Sequence, residues 1–476
     1  MEQKIKDQLI SLFTAHFKEE VSQFELLPAS GSYREYARMK SMHYKVIGAY
    51  NHDVKENLAF LEFSAHFLNK DIPVPRIYSV SSDQMTYLQE DLGNTTLFDF
   101  LTKVREKEGF SPKIVEEYKK VLRQLPRIQL LAGQDIDYSV CYPREAFDKQ
   151  SMMWDLNYFK YYFLKLAKIP FDEQALENDF ELFSDYLLEA DGHAFLYRDF
   201  QSRNIMLKDE KVYFIDYQGG RKGALQYDLA SLLYDAKADI PEDQRAELLE
   251  FYLDELSQYK DVDRQKFKSY FDGYVLIRIM QAMGAYGFRG FFEKKQHFLK
   301  SIPYAMNNLE ELLAKSTIEI NLPELFKVLK AVTQSAFLKS IGSEADKLTV
   351  TVSSFSYKKG IPKDRSGNGG GFVFDCRAIH NPGRYLEYKF LTGKDPEVQQ
   401  FLEDKSTMAE FLEPVTSLVS HSVEVYLDRG FKHLSVNFGC TGGQHRSVYA
   451  AEKLAEYLRN NYPVTVVLQH IEQDNK

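Results

Sequence analysis

Only three cysteines, Cys141, Cys376 and Cys440, occur in 476 residues. They are widely separated, so they supply neither the closely spaced ligand pairs of a zinc site nor a disulfide framework. Such scarcity suits a reducing cytoplasm. No apolar run reaches the roughly 20 residues that a bilayer span requires. The opening residues Met1-Glu-Gln-Lys-Ile-Lys-Asp7 are charged where a secretory leader would be apolar. A cytoplasmic protein is expected, with no membrane partner. Positive charge is not in excess either: 60 Lys and Arg stand against 69 Asp and Glu, a net charge of -9. Nothing global therefore calls for a polyanion, and any nucleic-acid surface must be local. The remaining composition, 44% hydrophobic, 14% aromatic and 27% charged, is that of ordinary globular material. The chain is too long for one core, and two large or about three smaller domains are expected.

The informative chemistry is concentrated between residues 195 and 218. Phe195-Leu-Tyr-Arg-Asp-Phe-Gln-Ser-Arg-Asn204 runs from an apolar segment into a polar turn holding Asp199 and Asn204. Val212-Tyr-Phe-Ile-Asp216 then reads as an apolar strand ending in a carboxylate. Moving a phosphoryl group from a magnesium nucleotide needs these parts. One carboxylate receives the proton of the acceptor hydroxyl, while an amide and a second carboxylate hold metal against the phosphates. Asp199 is the candidate base, and Asn204 and Asp216 are the candidate metal ligands. A plain hairpin offers the same residues, because Asp and Asn bond locally to turn backbone.

The rest of the first 315 residues frames this stretch. Residues 3–18 place Ile5, Leu9, Leu12, Phe13 and Phe17 at helical spacing. Two strands are expected to meet around Gly31, where backbone amides could approach phosphates. A helix over 56–69 follows, then an extended Ile72-Pro-Val-Pro75, since each proline turns its predecessor away from helix. A strand from Met85 ends at Glu90 and Asp91. From 97 to 190 the spacing is helical, and Trp154, Tyr158, Phe159, Tyr161, Tyr162 and Phe163 are expected in the core. Asp228 opens another helix, from which its carboxylate can bond back to the 199 turn. Arg278, Gln281 and Ala285 share one helix face, where a buried Arg and Gln need partners: a polar pocket or a satisfied core network.

The 195–218 pattern resembles the catalytic loop and metal-binding strand of the aminoglycoside-phosphotransferase and choline-kinase branch of the protein-kinase-like fold. It departs at Tyr197, where His is common, a position that supports the loop. The resemblance implies a two-lobed kinase-like domain over 1–315, with an N-lobe of about 1–92 and a C-lobe of about 93–315. It implies ATP beneath the loop of Ser30, Gly31, Ser32 and Arg34, in which Ser32, Arg34, Tyr36 and Arg38 match the family's Ser-x-Arg-x-Tyr-x-Arg character. Lys45 is the candidate phosphate-binding lysine, Glu90 marks the adenine hinge, and Asp228 is structural. The nearest likeness is to bacterial kinases of the anomeric hydroxyl of N-acetylated amino sugars, which implies Arg278 and Gln281 at the acceptor. An aminoglycoside- or choline-type acceptor is the enzymatic alternative. A regulatory adapter built on a degenerate kinase fold is the non-enzymatic one.

Residues 316–346 read as a connector, helical from about Leu322 to Lys339. From 347 the texture changes to strand, glycine-rich loop and strand. Leu434-Ser-Val-Asn-Phe-Gly439 then runs into Cys440, Thr441, Gly442, Gly443, Gln444, His445, Arg446 and Ser447, with a helix over 448–459. Strand, glycine turn and helix start make an anion cradle facing backbone amides and Arg446. Cysteine, five residues and arginine is also the spacing of the tyrosine-phosphatase loop, but no acidic loop is clearly placed as leaving-group acid. Ser356-Tyr-Lys-Lys-Gly-Ile-Pro362, Phe374-Asp-Cys-Arg-Ala-Ile-His-Asn-Pro382, Leu391-Thr-Gly393 and the 439–448 stretch resemble the RapZ C-terminal domain family. That resemblance covers nearly all of 348–470. It implies a domain over 347–476 that senses a phosphorylated amino sugar or other anion, with small RNA as a further partner. Acids and bases nearly balance there, so the electrostatic footprint for RNA is slight. The whole is expected to be an α/β multidomain protein that uses ATP and Mg2+ on a small sugar acceptor.

Overall fold

The computed structural model describes all residues except 29–33, 294, 316–317, 342–347, 364–370, 430 and 474–476. The candidate nucleotide residues Ser30, Gly31 and Ser32 therefore lie outside the described residues. The chain divides into two compact units, one of 1–287 with 304–335 and one of 288–303 with 336–476.

The first unit begins with a five-stranded antiparallel sheet: β1 (Gln23–Leu26), β2 (Glu35–Lys40), β3 (Lys45–Tyr50), β4 (Ile77–Val80) and β5 (Thr86–Glu90), in the order β1-β2-β3-β5-β4. The expected first helix, Gln3–Phe17, buries Ile5, Leu9 and Phe13 against Met39, Val46 and Leu88. Gly48 is fitted to this contact, because a Cβ there would lie 3.0 Å from Leu9. The helix Val54–Asn69 is capped by Asp53, whose side chain accepts from the amides of Lys55 and Glu56. Its Phe60 stacks on Tyr217 at 4.9 Å and its Phe67 meets Phe195 edge-on at 5.4 Å. Phe195 and Tyr217 bracket the 195–218 stretch, so this helix is packed directly against it; burying each ring stabilises by roughly 1.5–3 kcal/mol.

Beyond β5 the unit is helical except for two short antiparallel pairs, β6 (Ala194–Leu196) with β9 (Arg221–Gly223) and, between them in sequence, the hairpin β7 (Ile205–Lys208) with β8 (Lys211–Phe214). Phe159 and Phe163 are fully buried as expected, but Trp154 is 47% and Tyr161 46% exposed. Trp154 lies under the Arg144 guanidinium, and Tyr161 under Lys160 and Lys165, so cations cover these rings. The expected single helix from Leu322 to Lys339 is two, Pro323–Gln334 and Ala336–Ser340, because Ser335 is extended. Among the described residues no helix is long and apolar enough to cross a membrane.

The second unit is a parallel α/β sheet of β10 (Thr349–Ser356), β11 (Phe372–Asp375), β12 (His433–Cys440) and β13 (Thr465–His470), in the order β11-β12-β10-β13. Parallel neighbours need long crossovers. These include the helices Pro396–Asp404, Met408–Arg429 and Arg446–Asn461. Val350, Val352, Val436 and Phe438 meet Val415, Val419, Leu454 and Leu458 in one apolar core.

Candidate functional site

Asp199, Asn204 and Asp216 are brought together as the sequence predicts. The Asn204 Nδ2 donates to the Asp199 carbonyl at 2.9 Å and to Asp216 Oδ2 at 3.1 Å. β8 stops at Phe214, and Asp216 turns through a left-handed φ of 71° that aims its carboxylate back at the loop. Burial, and then the nearby Asp199 charge, push the Asp216 carboxyl above its ordinary range. Two oxygen donors with one negative charge fit magnesium, which keeps most of its shell for phosphate and water. Among the described residues there is no group of three His, Cys, Asp or Glu that could hold a metal, and a nucleotide-bridged Mg2+ does not need one. With Asn204 Nδ2 spent on those two bonds, Oδ1 is the atom of this side chain that could ligate a metal.

Three residues extend this set toward the sheet. Gln218 Nε2 donates to Asp216 Oδ1 at 2.7 Å and to Glu56 Oε1 at 3.3 Å. Glu56 Oε1 in turn lies 3.3 Å from Arg34 Nη2, and its Oε2 accepts from Asn51 at 2.7 Å. The buried Arg34 thus reaches Asp216 through Glu56 and Gln218. A cation paired with a helix-borne glutamate is the part played in protein kinases by the β3 lysine and its partner. Here the cation that meets such a glutamate, Arg34, lies just before β2. Lys45 is half-exposed at the start of β3, with its Nζ 3.1 Å from Asp91. Asp91 is also held bidentately by Arg38, at 2.7 and 3.1 Å. Glu90 accepts from Lys208 at 2.8 Å. The two acids expected at the hinge are therefore each held by cations, Glu90 by Lys208 and Asp91 by Arg38 and Lys45.

The 199 turn is braced from behind. Asp228, fully buried on the helix Leu225–Leu233, accepts from the amides of Tyr197 at 2.7 Å and Arg198 at 3.0 Å. Burial pushes its carboxyl up to about 7 against these donors. The Tyr197 hydroxyl donates 2.5 Å to the carbonyl of Ile215, tying the base loop to the residue before Asp216. Tyrosine in the usual histidine position thus supports the loop. Arg198 adopts a φ of 86°, and its guanidinium grips Asp155 at 2.8 and 2.6 Å and the Tyr227 hydroxyl at 2.8 Å. Arg278 Nε donates to Ser231 Oγ at 2.9 Å and its Nη1 to Gln281 Oε1 at 2.7 Å. Those two predicted acceptor residues are therefore paired with each other. Sequence reasoning missed Glu56, Gln218 and Asp155 as members of the site. Only Gln218, two residues past Asp216, carried a local signal.

In the second unit Cys440 ends β12, and its Sγ accepts from the Gly443 amide at 3.2 Å and lies 3.1 Å from Ser447 Oγ. Burial alone would raise this thiol. The Ser447 hydroxyl and amide, Arg446 and the Gly443 amide outweigh burial and hold it below its ordinary range. The Ser356 hydroxyl donates 2.8 Å to the Thr441 carbonyl, and the space above Gly442 is open. Gln444 Nε2 is spent on the carbonyls of Lys389 and Leu391, and His445 Nε2 lies 2.9 Å from that of Tyr388. Arg446 Nη1 donates to three carbonyls, those of Cys376, Arg377 and Ile379. Those bonds occupy Nη1 alone, while Nε is buried without a partner among the described residues, and the loop also offers an anion its backbone amides at the start of the helix Arg446–Asn461. Gly443 has a φ of 64°, and a Cβ there would lie 2.4 Å from Glu472 and 3.0 Å from the Ser356 nitrogen. Gly443→Ala is expected to abolish phosphate-ester binding by this unit while sparing ATP binding by the first, as read by calorimetry on the full chain. Unchanged anion affinity would show that the loop is not the binding element.

Residues 48–264 match the phosphotransferase enzyme family, and residues 348–474 match the RapZ C-terminal domain. A nucleotide-binding protein of Cereibacter sphaeroides is 41% identical over 122 residues, 25% of this chain and 39% of that protein. One from Caldicellulosiruptor bescii is 33% identical over 180 residues, 37% of this chain and 60% of that protein. The chain thus spans 39% and 60% of the lengths of these relatives. Among solved structures, choline kinase from Cryptosporidium parvum aligns with a TM-score of 0.47 at 12% identity, covering 68% of this chain and 99% of that one.

Proposed function

From a chain that carries a phosphotransferase-family domain and a RapZ C-terminal domain, we infer an ATP- and Mg2+-dependent kinase of a small hydroxyl acceptor, an N-acetylated amino sugar, joined to a phosphosugar-sensing domain. The observation that supports this most is the hydrogen-bonded series Glu56, Gln218, Asp216, Asn204, Asp199, with Arg34 ion-paired to Glu56. A degenerate fold kept only as an adapter has no need of both metal ligands and the base. The relatives' description as nucleotide-binding proteins is in keeping with ATP use.

Asn204 and Asp216 would hold magnesium, which, when bound, neutralises charge on the nucleotide phosphates. Asp199 takes the proton of the acceptor hydroxyl as the new O–P bond forms and the bond from the γ-phosphorus to the bridging oxygen breaks, releasing ADP. Asp228 and Tyr197 hold the turn so that this carboxylate meets the hydroxyl without reorganising. In the second unit the 440–447 loop receives a phosphate ester and reports it to the kinase. The test is ATP consumption by the purified chain with N-acetylmuramic acid, N-acetylglucosamine, glucosamine, choline and an aminoglycoside. Mg2+-dependent turnover on an N-acetyl sugar supports the reading. Turnover confined to choline or the aminoglycoside, or none on any acceptor, contradicts it.

A further inference from the structure

All three cysteines are free and buried. Cys376 and Cys440 are far apart in the chain, and the sheet of the second unit closes that gap. β11 runs parallel to β12 with Phe374 opposite Phe438 and Asp375 opposite Gly439. Cys376 and Cys440 come next on the two segments, and the Cys376 amide still donates to the Gly439 carbonyl at 2.8 Å. Alternate residues of a strand share a face. The Phe374 and Phe438 rings stack at 5.6 Å, so two residues further on both thiols are carried on that side. Cys376 is buried between exposed Asp375 and Arg377, which continues the alternation past the end of β11. Both cysteines belong to one apolar core. Neighbouring strands lie about 4.8 Å apart, within the roughly 4.4–6.8 Å that a disulfide spans between Cα atoms.

The two thiols are not equivalent. A buried cysteine packs as a small apolar group and needs no polar partner. Cys440 nevertheless has two, the Gly443 amide at 3.2 Å and the Ser447 hydroxyl at 3.1 Å. Burial alone would raise its thiol, but Ser447, Arg446 and the Gly443 amide hold it below the ordinary range. Burial, and then the Cys440 charge, push Cys376 above its own. The thiolate is the attacking form, so Cys440 is placed to react first, and Cys376 is relieved of that charge once Cys440 has reacted. Cys440 is 3% exposed, yet Thr441 and Gly442 beside it face solvent and the space above Gly442 is open. Cys141, in the first unit, has its thiol pushed up to about 12 by burial.

We propose that Cys440 and Cys376 are a peroxide-sensing pair, in which Cys440 is oxidised first and Cys376 closes a disulfide onto it, releasing the 440–447 loop. The Cys440 sulfur attacks one oxygen of hydrogen peroxide: an S–O bond forms, the O–O bond breaks, and the departing oxygen leaves as water. The Cys376 sulfur then attacks that of Cys440, so that the S–S bond forms, the S–O bond breaks and a second water leaves. Two thiols together lose two electrons and two protons, and one peroxide becomes two waters. A dithiol reverses the change. A disulfide sulfur carries no negative charge, so the Gly443 amide and the Ser447 hydroxyl lose the acceptor that now holds the loop. Nothing in this depends on what the loop binds.

The experiment treats the full chain with hydrogen peroxide, alkylates the remaining thiols, maps the peptides by mass and follows amide hydrogen exchange. Wild type is expected to yield a peptide pair joined through Cys376 and Cys440, with Cys141 still alkylated. Exchange at the Gly443 amide should quicken by about tenfold, the loss of one hydrogen bond, and dithiothreitol should restore both readouts. Cys376→Ser should stop at a Cys440 sulfenic acid that dimedone traps, and Cys440→Ser should leave Cys376 reduced. The wild-type map requires neither variant to fold, and Cys141 is its internal control. Cys376 and Cys440 both still alkylated after excess peroxide, Cys440 oxidised without a link to Cys376, or a disulfide with unchanged Gly443 exchange would each overturn the proposal.

Discussion

Asp199→Asn is expected to lower kcat on the physiological acceptor by about a hundred- to ten-thousandfold, the contribution of a positioned general base. The substitution is nearly isosteric, and the turn does not depend on this side chain for its shape. Asn204 bonds the backbone carbonyl of residue 199, while Asp228 holds the amides of Tyr197 and Arg198. ATP affinity and thermal stability should therefore stay close to wild type, and the loss should fall on kcat. Steady-state kinetics with a parallel nucleotide-binding titration separates the two. A variant within a few-fold of wild type in kcat would mean that another group takes the proton.

The second large effect is that of Asp216→Asn. Both oxygens of Asp216 accept hydrogen bonds, Oδ1 from Gln218 and Oδ2 from Asn204. An amide must set one NH2 against one of these donors, and it also removes the only carboxylate of the two proposed metal ligands. The Mg2+ concentration for half-maximal activity should rise by on the order of a hundredfold or more, since even partners of metal ligands are worth ten- to a hundredfold. Excess Mg2+ should restore part of kcat, which a collapsed site could not show. A Mg2+ titration that superimposes on wild type would remove Asp216 from the metal site.

How much of this was legible in the sequence follows from how local each feature is. Asp199, Asn204 and Asp216 lie within one short stretch whose turn and strand texture is written in consecutive residues, and the structure joins them directly. The brace from Asp228 was readable for the same reason, as a carboxylate early in a helix just after the loop. Arg34, Glu56 and Gln218 were not readable as a connected set. They come from the segment before β2, a helix and a turn that only the tertiary packing of Phe60 on Tyr217 brings together. Lys45 illustrates the converse: strand position suggested a phosphate ligand, but side-chain reach ends at Asp91. Trp154 and Tyr161 fit a helical apolar stripe, but cations cover those rings, which periodicity does not register. In the second unit the loop and its helix were legible from glycine and strand pattern, whereas the capture of Arg446 by three carbonyls was not.

The central claim is that Asp199, Asn204 and Asp216 form a working phosphoryl-transfer site. The most direct measurement follows the γ-phosphoryl group of labelled ATP into an N-acetyl sugar in a single turnover, with wild type, Asp199→Asn and Asp216→Asn compared at fixed Mg2+. The account expects labelled sugar phosphate from wild type at a rate at least a hundredfold above either variant. Label that never reaches a sugar, or that reaches it equally well without Asp199, would contradict it.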